Sequence, residues 1–375
     1  MKPYCEDSHV TVYNSDALTA LRGMPSESVD MCMTSPPYWM QRNYHIDGQL
    51  GLEKTFIEYI DKLMTIFDEV KRILKRSGTC FVNIDDSYSG MKVGNTETIK
   101  NPNVVANDFV KPKQNIPTKS LIGIPERFAI AMTDRGWIRR NTIIFYKPNA
   151  MPESAKDRFT NDFEYLYFFS KSSKYYFEQQ FDESTSRFGI GIIEAKQKYS
   201  WNTGNRSHSG WIGGDGQRRN KRCVWEIATE PSGEEHYAAY PEKLCETPML
   251  AGCPSAICTK CGKPREKIYE RKRLTRPELP QNDPRYRPNT YNGSYGDING
   301  KGDAGYTEHR EIGLTDCGCG AEFIPGTVLD PFAGIGTTGC VAKRLGRRSI
   351  LIEISPQYCE IIKKRVSNIP IPMEL

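Results

Sequence analysis

Apolar positions along the first 150 residues switch between two periods. Val10 to Tyr13 and Val29 to Met33 are apolar runs of strand length, and between them Ala17 to Met24 has helical spacing. The second run ends at Pro36-Pro37, so the predicted order is strand, helix, strand, loop. From Thr55 to Leu74, apolar residues at 56, 57, 60, 63, 64, 67, 70, 73 and 74 predict a helix, with Ser77-Gly78 closing it before a strand over Thr79 to Ile84. A helix near Pro125 to Arg135 and a strand over Thr142 to Tyr146 continue the alternation, which returns over Thr327 to Ile369. This pattern predicts an α/β fold with a mostly parallel sheet flanked by helices. Two stretches carry neither period. Residues 182 to 235 are rich in Gly, Ser, Asn, Arg and Trp, and residues 274 to 316 in Pro, Gly, Asn, Asp and Tyr. Both read as loop-rich insertions.

Chemistry concentrates at two strand ends. Thr327 to Asp330 is a predicted buried strand that runs through Pro331-Phe332-Ala333-Gly334-Ile335-Gly336-Thr337-Thr338 into a helix. A glycine turn between strand and helix brings backbone amides close to a nucleotide-like ligand, and Gly334 and Gly336 permit that turn. The next strand, Ser349 to Ile352, ends at Glu353, placed where an acidic side chain accepts hydrogen bonds from a ribose. Gly339 completes a dinucleotide-type spacing, so spacing alone leaves a nicotinamide cofactor open, and a purely structural turn fits the GxG by itself. The Asp330-Pro331-Phe332 lead-in points away from the dinucleotide reading.

The other strand end is Ser35-Pro36-Pro37-Tyr38, followed by Trp39. Two prolines fix the backbone and remove two N–H donors, which presents the local carbonyls as acceptors. Such a loop suits a planar amine: Ser35 Oγ and the Pro36 carbonyl would accept its two protons, and Tyr38 or Trp39 would stack on the attached ring. A proline-rich turn with aromatic packing is the structural alternative.

Charge and cysteine usage narrow the picture. With 51 Lys+Arg against 46 Asp+Glu the net charge is +5, so any surface for a polyanion must be local. Arg206, Arg218, Arg219, Lys221 and Arg222 lie among glycines in the first insertion and are the expected phosphate-contacting residues, although a solvated loop has the same composition. No run of 18 apolar residues and no secretory leader is present, which predicts no membrane partner. Among twelve cysteines, Cys258-Thr259-Lys260-Cys261 and Cys317-Gly318-Cys319 form two short pairs, the expected ligands of a structural Zn2+, against the alternative of ordinary reduced thiols. Cys253-Pro254 reverses the Pro-Cys order of a ring-attacking thiolate.

Thr34-Ser35-Pro36-Pro37-Tyr38-Trp39 and Asp330 to Thr338 closely resemble the catalytic and cofactor motifs of amino-methylating (N4-cytosine/N6-adenine) DNA methyltransferases. Their order, catalytic motif first, resembles the β-class arrangement of that family. The resemblance implies a Rossmann-like S-adenosylmethionine-dependent methyltransferase fold, a mixed sheet flanked by helices with a recognition insertion and a zinc-binding insertion. It implies S-adenosyl-L-methionine as cofactor, held by Asp16, Asp330, Phe332, Gly334, Gly336, Thr337, Thr338 and Glu353. His236 and Pro241 are in a stretch similar to the segment that closes over the methionine part. Asn141 to Pro152 and Arg158 to Phe177 also resemble the family, the latter read as a strand followed by Thr160-Asn161-Asp162-Phe163-Glu164. The expected division is 1–181 as the catalytic half, 182–235 for target recognition, 236–252 closing over the cofactor, 253–323 binding zinc and 324–375 as the cofactor half.

Serine at the first tetrapeptide position resembles the N4-cytosine enzymes, with adenine N6 as the alternative. The resemblance further implies double-stranded DNA as partner, base flipping, a role in restriction-modification or DNA protection, and a cytoplasmic, nucleoid-associated protein of prokaryotic or phage origin, with a homodimer allowed. Two other classes compete: a zinc-ribbon DNA-binding protein without catalysis, and a nicotinamide-dependent oxidoreductase. The intact Ser35 loop argues against the first, and the lack of an assembled proton relay near the glycine loop against the second.

Overall fold

A computed structural model describes residues 1–90, 114–183, 218–229, 240–274, 281 and 306–370. The strands are β1 (Cys5–Glu6), β2 (Val10–Asn14), β3 (Val29–Thr34), β4 (Leu74–Ile84), β5 (Ile138–Tyr146), β6 (Phe163–Ser170), β7 (Phe181–Glu183), β8 (Arg218–Asn220), β9 (Val224–Glu226), β10 (Ile257–Cys258), β11 (Lys267–Leu274), β12 (Tyr306–Leu314), β13 (Phe323–Ile324), β14 (Thr327–Asp330) and β15 (Arg348–Glu353). The helices are α1 (Ala17–Arg22), α2 (Phe56–Ile73), α3 (Ile124–Asp134), α4 (Glu242–Gly252), α5 (Thr337–Arg344) and α6 (Pro356–Ser367).

Nine strands form one sheet in the order β1-β2-β15-β14-β3-β4-β6-β5-β9. The run from β2 to β4 is parallel, as the alternation predicts. Beyond β4 the sheet turns antiparallel through β6 to β5, and β9 adds a parallel edge. The antiparallel pair arises because β5 and β6 follow one another without an intervening helix, so a crossover is unavailable. The segment Thr160 to Glu164 precedes and enters β6 instead of following a strand, which reverses the order expected from the sequence.

Successive residues of a strand face opposite layers, and both layers here are apolar. Cys32 and Cys80 pack with α1, α2 and α3 on one face. Met31, Met33 and Phe81 pack with Leu244, Cys245 and Met249 of α4 and Val341 and Ala342 of α5 on the other. Thr55 caps α2 by accepting the Glu58 N–H at 3.1 Å, and Lys71 and Arg72 in the last turn suit the helix dipole. This helix stops at Ile73 and β4 begins at once, so Ser77-Gly78 is part of the strand, not the helix stop. The β3–β4 register slips there, pairing Val29 with Leu74 but Met31 with Thr79. Gly78 is at the slip, where a Cβ would come within 2.9 Å of the Lys75 carbonyl.

The chain forms two compact units. The first, which carries the nine-stranded sheet, comprises Met1–Glu178, Cys223–Pro264 and Cys319–Leu375. The second comprises Gln179–Arg222 and Arg265–Gly318, whose described parts are the antiparallel pairs β7–β8 and β11–β12.

Candidate active site

The glycine loop and the catalytic loop leave adjacent strands at the same edge of the sheet, because β14 and β3 pair directly, Val328 with Met31 and Leu329 with Cys32. This carboxyl-terminal edge is where open α/β sheets hold ligands. A cavity of about 700 Å³ opens there. Ser35, Pro36, Pro37 and Tyr38 line it, as do Asp16, Phe332, Gly334, Thr337, Glu353 and Pro241. The two motifs, at opposite ends of the sequence, therefore share one space.

Asp330, Gly336 and Thr338 stand behind the wall. Asp330 is 1% exposed and accepts from the Thr34 hydroxyl at 2.6 Å, the Thr338 hydroxyl at 2.5 Å, the Tyr240 phenol at 3.1 Å and the Phe332 N–H at 3.0 Å. Burial raises its pKa, and the four donors pull it back down. Asp330 thus acts through its neighbours: Thr34 immediately precedes Ser35, so one carboxyl fixes the root of both loops. Gly336 has φ +81°, and a Cβ there would meet Ile362 Cγ1 at 2.9 Å; Gly334 has φ +52° with open space around it. A Cβ on Gly339 would approach Leu351 Cδ1 to 2.5 Å, so this glycine lets α5 lie close on β15.

Glu353 ends β15 and accepts from the Gly334 N–H and the Ser355 N–H, both at 2.8 Å. Burial pushes its pKa up to about 7, although both backbone bonds favour the ionised form. Asp16 caps α1 by accepting the Thr19 N–H at 3.0 Å and is exposed to the cavity. Tyr44 and Tyr358 meet edge to face, 6.3 Å between ring centroids, on the same wall. Carboxylates beside apolar walls of Leu18, Ile335 and Ile354 fit an adenosine, whose hydroxyls and amine donate while its base stacks.

At the catalytic end, the Ser35 hydroxyl donates to the Tyr38 oxygen at 3.3 Å. Tyr38 in turn donates to Glu164 Oε2 at 2.7 Å, with Asn83 Oδ1 at 3.1 Å, and Lys147 Nζ holds Glu164 Oε1 at 2.8 Å. Burial and the charges of Glu164 and Asp85 raise the Tyr38 pKa well above the ordinary tyrosine value, so the phenol keeps its proton. Asp85 also lines the cavity, and burial with the nearby Glu164 raises its pKa. The Tyr59 phenol occupies the Pro37 carbonyl at 2.9 Å.

Trp39 does not reach the cavity. It is 1% exposed, donates its indole N–H to the Glu53 carbonyl at 3.1 Å and packs on Phe56, which leaves Tyr38 as the loop's accessible ring. Cys253 is fully buried with its pKa raised by that burial, the opposite of an activated thiolate. Sequence reasoning missed Asn83 and Asp85, although they stand at the carboxyl end of a predicted strand. Lys147, Glu164 and Tyr240 fall in stretches that resemble the family, but no role was given to them, and the Lys147–Glu164 pair emerges only once β5 and β6 are paired.

Among the other expected residues, Arg206 and His236 lie outside the described residues. Arg218 and Arg219 are in β8. Lys221 is paired with Asp182 at 3.1 Å, and the Arg222 backbone N–H donates to the same carboxylate at 3.1 Å. The thiol sulfurs of Cys258, Cys261, Cys317 and Cys319 all lie within 4.8 Å of one another. No helix among the described residues is long and apolar enough to cross a membrane.

Two loops border one cavity, one presenting hydrogen-bond acceptors and the other carboxylates beside apolar walls, an arrangement compatible with group transfer. The sequence profile of the DNA methylase family that covers N6 and N4 enzymes matches residues 29–254 and 324–364. The type II methyltransferase M.Cfr9I of Citrobacter freundii is 32% identical over 359 residues, 96% of this chain and 88% of that protein. M.SmaI of Serratia marcescens, also a type II methyltransferase, is 30% identical over 352 residues, 94% of this chain and 88% of that protein. The solved structure of the PvuII DNA methyltransferase (cytosine-N4-specific) shares the fold, with a TM-score of 0.53 and 19% identity over 97% of this chain and 88% of that one. The chain belongs to the DNA methylase family of amino-methylating enzymes, and it is a DNA methyltransferase.

Proposed function

We propose that the protein transfers a methyl group from S-adenosyl-L-methionine to the exocyclic N4 amine of cytosine in double-stranded DNA, at a specific sequence, as the modification enzyme of a restriction-modification or DNA-protection system. The observation that carries this reading is the hydrogen-bonded row Ser35–Tyr38–Glu164–Lys147 inside the cavity that also contains Gly334 and Glu353.

Because the Ser35 proton is directed at Tyr38, the lone pairs of Ser35 Oγ are left to accept. An amine that donates one proton to Ser35 and the other to the Pro36 carbonyl is held with its nitrogen lone pair out of the ring plane, facing the methyl donor. The bound cofactor supplies an electrophilic methyl group on a sulfonium. On accepting that methyl group the nitrogen would have one proton to lose, and Asp85 and Glu164 are the carboxylates in the same cavity that would take it. No covalent enzyme intermediate is required. A paired base hides its amine, so the target nucleotide must rotate out of the duplex, and Tyr38 offers it a ring face.

Serine at position 35 supports cytosine over adenine, as does the cytosine-N4 specificity of the structurally similar PvuII enzyme. The type II names of the relatives support the restriction-modification setting. Mass spectrometry of nucleosides from DNA treated with the purified protein tests the reading. N4-methylcytosine is expected, N6-methyladenine alone would move the target to adenine, and no methylated base would sink the proposal.

A further inference from the structure

The four-thiol cluster takes no part in the chemistry above. None of the four cysteines is among the residues lining the cavity, and they fall in the stretch 255–323 that the DNA methylase profile skips. We propose that Cys258, Cys261, Cys317 and Cys319 bind one structural Zn2+, outside the part of the chain that the methylase profile covers.

Three observations carry the assignment. The four sulfurs lie within 4.8 Å of one another, whereas a tetrahedral ion with Zn–S bonds of about 2.3 Å sets them about 3.8 Å apart. A small inward closure therefore completes the site. The first pair sits in a tight turn: the Gly262 N–H donates to the Cys258 carbonyl at 2.9 Å and the Cys258 N–H to the Lys263 carbonyl at 3.0 Å. Gly262, with φ +69°, supplies the left-handed residue that turns the chain after the second ligand. The second pair is built alike, with Gly318 at φ +73° between its ligands and Gly320 at φ +60° after them. Lastly, the turn is anchored to the segment after the second pair: Ile257 and Cys258 pair with Ile324 and Phe323, and the Thr259 N–H and hydroxyl both donate to the Glu322 carbonyl at 3.0 Å.

The donor chemistry selects the ion. Four thiolates exclude Mg2+ and Ca2+, which require oxygen, and a closed set of four leaves no position for substrate, so the ion is structural. Four thiolates around Zn2+ carry a net charge of about −2, and Lys260 and Lys263 are the basic residues that the turn itself provides.

The test is elemental analysis of the full-length protein purified under reducing conditions from zinc-supplemented cells. About one zinc per chain is expected, released in step with titration of four thiols by an organomercurial. The Cys258→Ser/Cys317→Ser double variant should retain zinc only at background while still being thermally stabilised by S-adenosylmethionine. Zinc near background in the wild-type protein, zinc kept by the double variant, or one equivalent of iron in its place would each overturn the proposal. Should the variant fail to fold, cobalt substitution of the wild-type protein decides the matter. The intense visible bands of a tetrahedral tetrathiolate are expected, and a weak octahedral spectrum would refute the site. None of these readouts depends on which base is methylated.

Discussion

Ser35 gives its proton to Tyr38 and keeps its lone pairs, so removing the hydroxyl should strike turnover and spare the cofactor. Loss of one hydrogen bond to the reacting group costs about 2–3 kcal/mol, a fall of roughly 30- to 200-fold in kcat for Ser35→Ala. Methyl transfer from labelled cofactor measures it, and a variant that no longer bound S-adenosylmethionine would instead assign Ser35 to folding. Glu353 makes a separate prediction about pH. Its carboxyl rises from the ordinary 4.5 to about 7 because burial penalises the charge. A raised carboxyl stabilises the fold fully below pH 4.5, and that contribution is lost as pH climbs through 7. The melting temperature of the cofactor-free protein relative to Glu353→Gln should therefore decline between about pH 5 and pH 8, and a pH-independent difference would contradict it. Ribose hydroxyls donating to Glu353 favour its ionised form, so cofactor affinity should rise over the same interval. At this scale the sequence singled out Ser35 and Glu353, and both line the same cavity. It misled for Trp39, since an aromatic's burial depends on Phe56 and Glu53, which only the folded chain brings to it.

Elements were legible where a local period decides them and less so where a distant strand does. The helical period of α2 located its buried face except at Ile57, which is exposed, and its end was set by pairing of Leu74 with Val29, which overrides the Ser77-Gly78 stop signal. The turn from β14 into α5 shows how an element uses glycine in two ways. At Gly334 an alanine meets nothing within 4 Å and bears only the cost of a left-handed backbone, about 1 kcal/mol. At Gly336 the same backbone penalty is joined by collision with the β-branched Ile362, so Gly336→Ala should cost about 2–4 kcal/mol. Denaturant unfolding of the two variants checks the order, and equal losses would show that Ile362 moves aside freely. The two glycines look equivalent in the sequence; only the packing of α6 separates them.

For the whole molecule, a net charge of +5 leaves the nucleic-acid surface to local clusters. Lys221 is paired with Asp182, and Arg218 and Arg219 of β8 are the residues proposed to bind phosphate. An Arg218→Ala/Arg219→Ala variant should bind DNA more weakly and flatten the salt dependence by about 0.9 in log–log slope for each phosphate no longer neutralised, measured by anisotropy between about 50 and 200 mM salt. An unchanged slope would remove these residues from the interface. The existence of an α/β sheet was readable from alternation, and the β-class motif order from the family resemblance. The strand order was not, since β14 and β15 slot between β2 and β3 by pairing with strands from the far end of the sequence.

The placing of β14 and β15 has a consequence during synthesis. These two strands, inside the sheet, are made after all its others, so in a growing chain β2 and β3 lack their neighbours there until the segment from Thr327 onward emerges from the ribosome. Thr34 meets Asp330 only then. An unfinished chain therefore has no seated Ser35 loop and no cradle for a methyl donor, and a protein that marks DNA stays inert until the centre of its sheet has been made.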